Sequence, residues 1–149
     1  MTKTDNCTFC KTELLDWRTI LADDLIRSVV SRPWFREGHC LVVPNRHIEE
    51  VSQLRDEESS AIMAELGRLS LKLDNGFGAG MMQKFQPTQG ENGIKVNHLH
   101  FHIFPRLEEE SGLFPVPEPN DFQDGFSFAP DKTIGDLANK LRVNKFEHP

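Results

Sequence analysis

The sequence predicts an α+β domain: an antiparallel sheet of about five strands, a long helix packed on it, and a C-terminal helix. Three observations carry that expectation. Short apolar, β-branched runs bounded by turn residues occur before residue 45 and again over residues 80–104. One strong helical period, over residues 56–76, separates the two groups. A weaker helical pattern lies near the C-terminus, at residues 131–145.

The elements follow in order. "CTFC" (7–10) precedes any periodic signal. "WRTILADDLIRSVVS" (17–31) reads as two short strands about a turn at Asp23-Asp24. "RPWFREG" (32–38) reads as a loop, punctuated by Pro33 and Gly38. "HCLVVP" (39–44) is an apolar run stopped by proline, which predicts a buried strand. In residues 56–76, Ile62, Leu66, Leu69 and Leu73 form one apolar stripe. Asp56 can cap that helix and Asn75-Gly76 can end it. "GMMQKF" (80–85) and "IKVNHLHFHIF" (94–104) read as an antiparallel pair of strands joined by "QPTQGENG". Residues 108–130 are acidic and then rich in Pro, Phe and Gly, a composition that suits an irregular covering segment. Ile134, Leu137 and Leu141 give the last helix its apolar face.

At 149 residues the chain is about one domain, with a core over about 7–106 and a C-terminal extension over 107–149. No apolar run approaches a membrane span, and the polar start has no secretory pattern, so a cytoplasmic location is expected. A net charge of −6 argues against wrapping a nucleic-acid backbone, where affinity comes from Lys and Arg. It leaves room for one nucleotide in a local pocket. In a reducing compartment, Cys7 and Cys10 suit a metal or a redox pair better than a structural disulfide.

Three of the six histidines stand at alternate positions in "NHLHFHIFPR" (97–106). In a strand such residues share one face, so His98, His100 and His102 face a cleft while Leu99, Phe101 and Ile103 face the core. Two chemistries fit. Two or three of the imidazoles can bind one metal. Alternatively, one neutral imidazole acts as a nucleophile while a neighbour protonates the leaving group. Cys-x-x-Cys is half of a tetrahedral zinc site, and the remaining ligands must come from His39, His47, the triad or His148. Cys40 lies in an apolar strand and reads as an ordinary buried thiol.

"GHCLVVPNRH" (38–47), followed by "NHLHFHIFPR", resembles the histidine triad family of nucleotide hydrolases and transferases. The signature of that family is His-φ-His-φ-His-φ-φ, with φ apolar, and the resemblance runs from "CTFCK" to about Arg106. It implies a HIT-like fold, a homodimer, and a small-molecule nucleotide as substrate, of the dinucleoside polyphosphate or nucleoside phosphoramidate class. It implies His100 as the nucleophile that forms a nucleotidyl-histidine, and His102 as the residue that assists the leaving group. The main chain at Gly93, Ile94 and Lys95 matches the stretch that holds the α-phosphate. The resemblance to zinc-binding members implies structural Zn2+ on Cys7, Cys10, His47 and His98.

Several positions depart from the pattern. Ser31 stands where relatives carry Asp or Asn on the ribose hydroxyls, and serine cannot act as a charged bidentate acceptor. Trp34 and Phe35 are bulky for this loop and suit either packing or base stacking. Ile94 replaces a common glutamine, and Lys95 falls near the leaving group. Gln83, Gln86, Gln89 and Asn92 are candidate phosphate or ribose contacts. His39 reads as a structural histidine at a strand start. These departures motivate an alternative: a nucleotide-binding or regulatory protein of the same fold with little turnover. A third reading places one open metal on all three triad histidines.

Overall fold

A computed structural model describes residues 4–32, 36–74, 79–83, 88–89, 95–106 and 129–142. A five-stranded antiparallel sheet is built from β1 (Thr19–Ala22), β2 (Ile26–Val30), β3 (Cys40–Pro44), β4 (Ala79–Gln83) and β7 (Phe101–Pro105), in the order β1-β2-β3-β7-β4. A separate two-stranded ribbon pairs β5 (Thr88–Gln89) with β6 (Lys95–Val96). Helices α1 (Asp56–Lys72) and α2 (Asp131–Leu141) complete the described elements. Among the described residues no helix is long and apolar enough to cross a membrane.

Asp23 makes the β1–β2 turn: its carboxylate accepts from the backbone N–H groups of Leu25 and Ile26, both at 2.8 Å, as an Asx turn does. Side-chain alternation in β2 and β3 then sorts residues between two layers. Ile26, Val30, Cys40 and Val42 pack with Ile62, Leu66, Leu69 and Leu73 of the α1 stripe and its end, and with Ile134, Ala138 and Leu141 of α2. Val29, Leu41 and Val43 pack on the opposite face with Cys7, Phe9 and Leu15. Both helices therefore cover one face of the sheet. The N-terminal segment, with short 3-10 turns at Thr8–Cys10, Thr12–Leu14 and Asp16–Arg18, covers the other through Cys7, Phe9 and Leu15, while the Asp16–Arg18 turn packs against α2.

Three expectations need correction. Asp56 is the first helical residue of α1 and not its cap. The N-cap is Arg55, and its N–H is satisfied by the Glu58 carboxylate at 2.8 Å, reaching back from the third helical position. The helix ends at Lys72, and Asn75-Gly76 lie outside the described residues. Residues 94–104 are not one strand: β6 ends at Val96, β7 begins at Phe101, and Asn97–His100 lie between them. The link "QPTQGENG" contributes β5, which pairs with β6.

Candidate functional site

The site begins with a tight turn. The Cys10 N–H donates to the Cys7 carbonyl at 3.1 Å, which brings the two thiols of "CTFC" together. His47 arrives on the loop after β3. That loop is pinned by Arg46, whose Nε and Nη2 donate to the Glu58 carboxylate at 2.6 and 2.8 Å. Residues 97–100 leave the ladder and bond to the same loop instead. The Leu99 N–H donates to the Ile48 carbonyl at 2.8 Å, and His98 Nε2 donates to the Pro44 carbonyl at 2.8 Å.

The result is a cluster. One ligand atom from each of Cys7, Cys10, His47 and His98 lies within 4.8 Å of the others. His98 Nδ1 is 3.4 Å from Cys7 Sγ and 3.6 Å from Cys10 Sγ, and His47 Nδ1 is 3.3 Å from Cys10 Sγ. Tetrahedral zinc, with Zn–S about 2.3 Å and Zn–N about 2.0–2.1 Å, sets neighbouring S and N ligands about 3.6 Å apart. The donor set fits. A carbonyl can only accept, so the proton of the neutral His98 ring lies on Nε2 and the lone pair of Nδ1 faces the thiols. Burial pulls His98 down to about 4, which keeps it neutral, as a metal ligand must be. Burial and the adjacent Cys7 push the Cys10 thiol up to about 12, a penalty on paired thiolates that a bound dication reverses.

The three triad histidines are all buried, and each commits to a different partner. His98 turns to the thiols. His100 Nδ1 donates to the His98 carbonyl at 2.7 Å, so in the neutral ring the lone pair sits on Nε2. Burial lowers the pKa of His100, and the carbonyl bond opposes that only in part. His102 Nδ1 lies 2.9 Å from Nε2 of His39. The His100 and His102 rings are 4.9 Å apart, and Phe9 stands 5.5 Å from His100 and 5.6 Å from His98. This division does not favour one metal shared by all three.

His39 was underrated by its sequence context. It is fully buried, stacks on His102 with centroids 5.1 Å apart, and bonds to it. Burial, with His100 and Arg36 nearby, pulls it down to about 3, so it stays neutral. The signal was parity: residues 39, 41 and 43 share the face that carries His102. Gly38 aims it, with φ +94°, a left-handed value that suits glycine. Cys40 reads as expected, fully buried on the helical face with its thiol directed at the Gly38 carbonyl.

The other candidates are placed unevenly. Ser31 is buried just past β2, and its N–H donates to the His39 carbonyl at 2.8 Å. Gln83 lies in β4, and Gln89 and Lys95 are cross-strand partners in the small ribbon. Gln86, Asn92, Gly93, Ile94, Trp34, Phe35 and His148 lie outside the described residues. Arg106 is half-buried just after β7.

The model of the HIT domain family matches residues 15–109. The chain belongs to the HIT domain family. This HIT domain is 26% identical over 114 residues to "Protein hit" of Bacillus subtilis, covering 75% of this chain and 79% of that protein. It is 29% identical over 147 residues to the adenosine 5'-monophosphoramidase HNT1 of Candida albicans, covering 92% of this chain and 90% of the relative. A zinc-bound histidine triad family protein from Mycobacterium smegmatis superposes with a TM-score of 0.56 at 17% identity, over 93% of this chain and 96% of that one, a likeness of fold.

Proposed function

We propose that this HIT domain hydrolyses or transfers a nucleotide at a phosphoramidate or phosphoanhydride bond through a covalent nucleotidyl-histidine. The observation that carries the proposal is the 2.7 Å bond from His100 Nδ1 to the His98 carbonyl. It holds the ring and leaves the Nε2 lone pair for attack. Nε2 forms a bond to the α-phosphorus as the bond to the leaving group breaks. As the imidazolium, His102 donates Nδ1–H to Nε2 of neutral His39 and gives its Nε2 proton to the leaving atom, which leaves it neutral. Water then attacks phosphorus, returns the proton to His102 and frees His100. The activity in the name of the Candida albicans relative supports this class.

Cys7, Cys10, His47 and His98 would hold structural Zn2+, which ties the N-terminal turn to the loops that carry His47 and His98. Ser31 would meet the ribose, and the main chain at Gly93, Ile94 and Lys95 would meet the phosphate, with Gln89 nearby. A homodimer is part of the reading, supported by Met63 and Leu71, which stand 63% and 79% exposed on α1. A monomer in sedimentation at working concentration would remove that part.

The test is a panel of adenosine phosphoramidates and dinucleoside polyphosphates, assayed with wild type and His100→Ala. Turnover by the wild type, reduced at least about a thousandfold in the variant, is expected. So is an acid-quenched nucleotidyl adduct on His100 alone. Binding without turnover would favour the regulatory alternative, which the serine at position 31 motivates. Equal turnover by both proteins would remove His100 from the reaction.

A further inference from the structure

Two of the three cysteines of this chain stand side by side, and the third is kept apart from them. Cys7 and Cys10 pack on the sheet face that carries Val29, Leu41 and Val43. Cys40 is buried on the opposite, helical face, with its thiol directed at the Gly38 carbonyl. Only the first two can meet each other.

The backbone presets their separation. The Cys10 N–H donates to the Cys7 carbonyl at 3.1 Å, and the Lys11 N–H donates to the Thr8 carbonyl at 3.2 Å. These bonds wind Thr8–Cys10 into a 3-10 turn. A bond from residue i+3 back to residue i holds the two Cα atoms within about 7 Å. Disulfides span about 4.4–6.8 Å between Cα atoms, so this turn can close one with little backbone movement. The two thiols are within hydrogen-bond reach of each other.

Burial divides their roles. Cys7 is fully buried, whereas Cys10 is half-buried. A small oxidant in solvent meets Cys10 first, and Cys7 stands behind it as the second sulfur. Phe9 lies between the two cysteines in sequence and packs against the rings of His98 and His100, 5.6 and 5.5 Å away. A covalent change in this turn therefore acts on the aromatic ring that backs His100. It also acts on the donor set: a site of two thiolates and two imidazoles needs both sulfurs as thiolates, and a disulfide carries no charge with which to hold the ion.

We propose that Cys7 and Cys10 are a reversible oxidation site, closed to a disulfide by peroxide, and that closure discharges the metal from the cluster with His47 and His98. The proposal rests on the zinc reading above and adds regulation of that site. The Cys10 thiolate attacks one peroxide oxygen, the O–O bond breaks, and hydroxide leaves and takes a proton to become water. Cys10 is then a sulfenic acid. The Cys7 thiolate attacks that sulfur, the S–O bond breaks, and a second hydroxide leaves and is protonated to water. Two thiolates, one peroxide and two protons give one disulfide and two waters. The sulfurs lose the two electrons that the peroxide gains. A dithiol reductant reverses the oxidation by exchange.

Bound zinc, chain mass and melting temperature, measured on the full chain before and after hydrogen peroxide, test the proposal. Wild type purified with reductant is expected to carry about one zinc per chain and to release it to peroxide. The oxidised chain should be lighter by about 2 Da, with the loss confined to the tryptic peptide of residues 4–11, and should melt at a lower temperature. Dithiothreitol with added zinc should restore all three readings. Cys40→Ala should respond as wild type does. Zinc retained after peroxide, zinc lost with Cys10 carried to an irreversible acid and no disulfide formed, or a response that disappears in Cys40→Ala overturns the switch and leaves the zinc reading standing. Wild type that carries no zinc overturns both.

Discussion

Acid should destabilise this protein through His39, and His39→Phe should remove that part of the response. Phenylalanine keeps the ring volume and the stack on His102 but has no proton to gain. The folded pKa of His39, about 3, lies below its ordinary 6.5 because the ring is buried. As pH falls, the unfolded chain therefore binds the proton first, and stability is full above pH 6.5 and declines toward pH 3. Linkage over that window gives a loss of about 2 kcal/mol by pH 5, relative to pH 7.5, from this residue alone. Urea unfolding of both proteins at the two pH values reads it directly. The stability gap between wild type and variant should close by about 2 kcal/mol on acidification, or reverse. Parallel losses in the two proteins would refute the reasoning, since they would show that His39 does not enter the native state neutral. The same variant removes the His39 partner of His102 Nδ1. A lost buried hydrogen bond of about 1–3 kcal/mol predicts kcat lower by roughly tenfold to a hundredfold.

Two further predictions concern the frame of the site. Cys7→Ser should reduce zinc content measured by atomic absorption and, in the wild type, a strong chelator should lower the melting temperature to that of the variant; zinc retained at full stoichiometry by Cys7→Ser would exclude Cys7 as a ligand. Gly38→Ala places a Cβ 2.9 Å from Pro105 Cδ at a φ of +94° and should cost about 1–3 kcal/mol in urea unfolding, with His39 displaced and kcat reduced; an unchanged midpoint would show that the β7 end yields easily.

Much of the fold was legible because local and global preferences agree. β3 is apolar on both faces since one meets α1 and the other meets Cys7, Phe9 and Leu15, and "CLVVP" says as much. The stripe from Ile62 to Leu73 predicts the face that α1 buries. The triad deceived for a physical reason. "NHLHFH" has strand alternation, yet the backbone of Leu99 bonds to Ile48, 51 residues away in sequence, and not to a neighbouring strand. No local pattern encodes that bond. The Cys7, Cys10, His47 and His98 cluster was readable only through the family resemblance, because Cys10 and His98 are separated by 88 positions. His39 escaped because its neutral state depends on burial, which no local pattern encodes.

The bond between His98 and His100 gives one residue two duties that cannot be varied together. The ring of His98 faces the thiols, while its carbonyl orients the ring of His100. Side-chain substitution at position 98 alters the first and spares the second, since every amino acid brings a carbonyl. Backbone displacement alters both at once. Metal occupancy would then act on the reaction as a tension along one peptide unit, and damage to the thiols would reach the phosphate without any change in the residues that touch it.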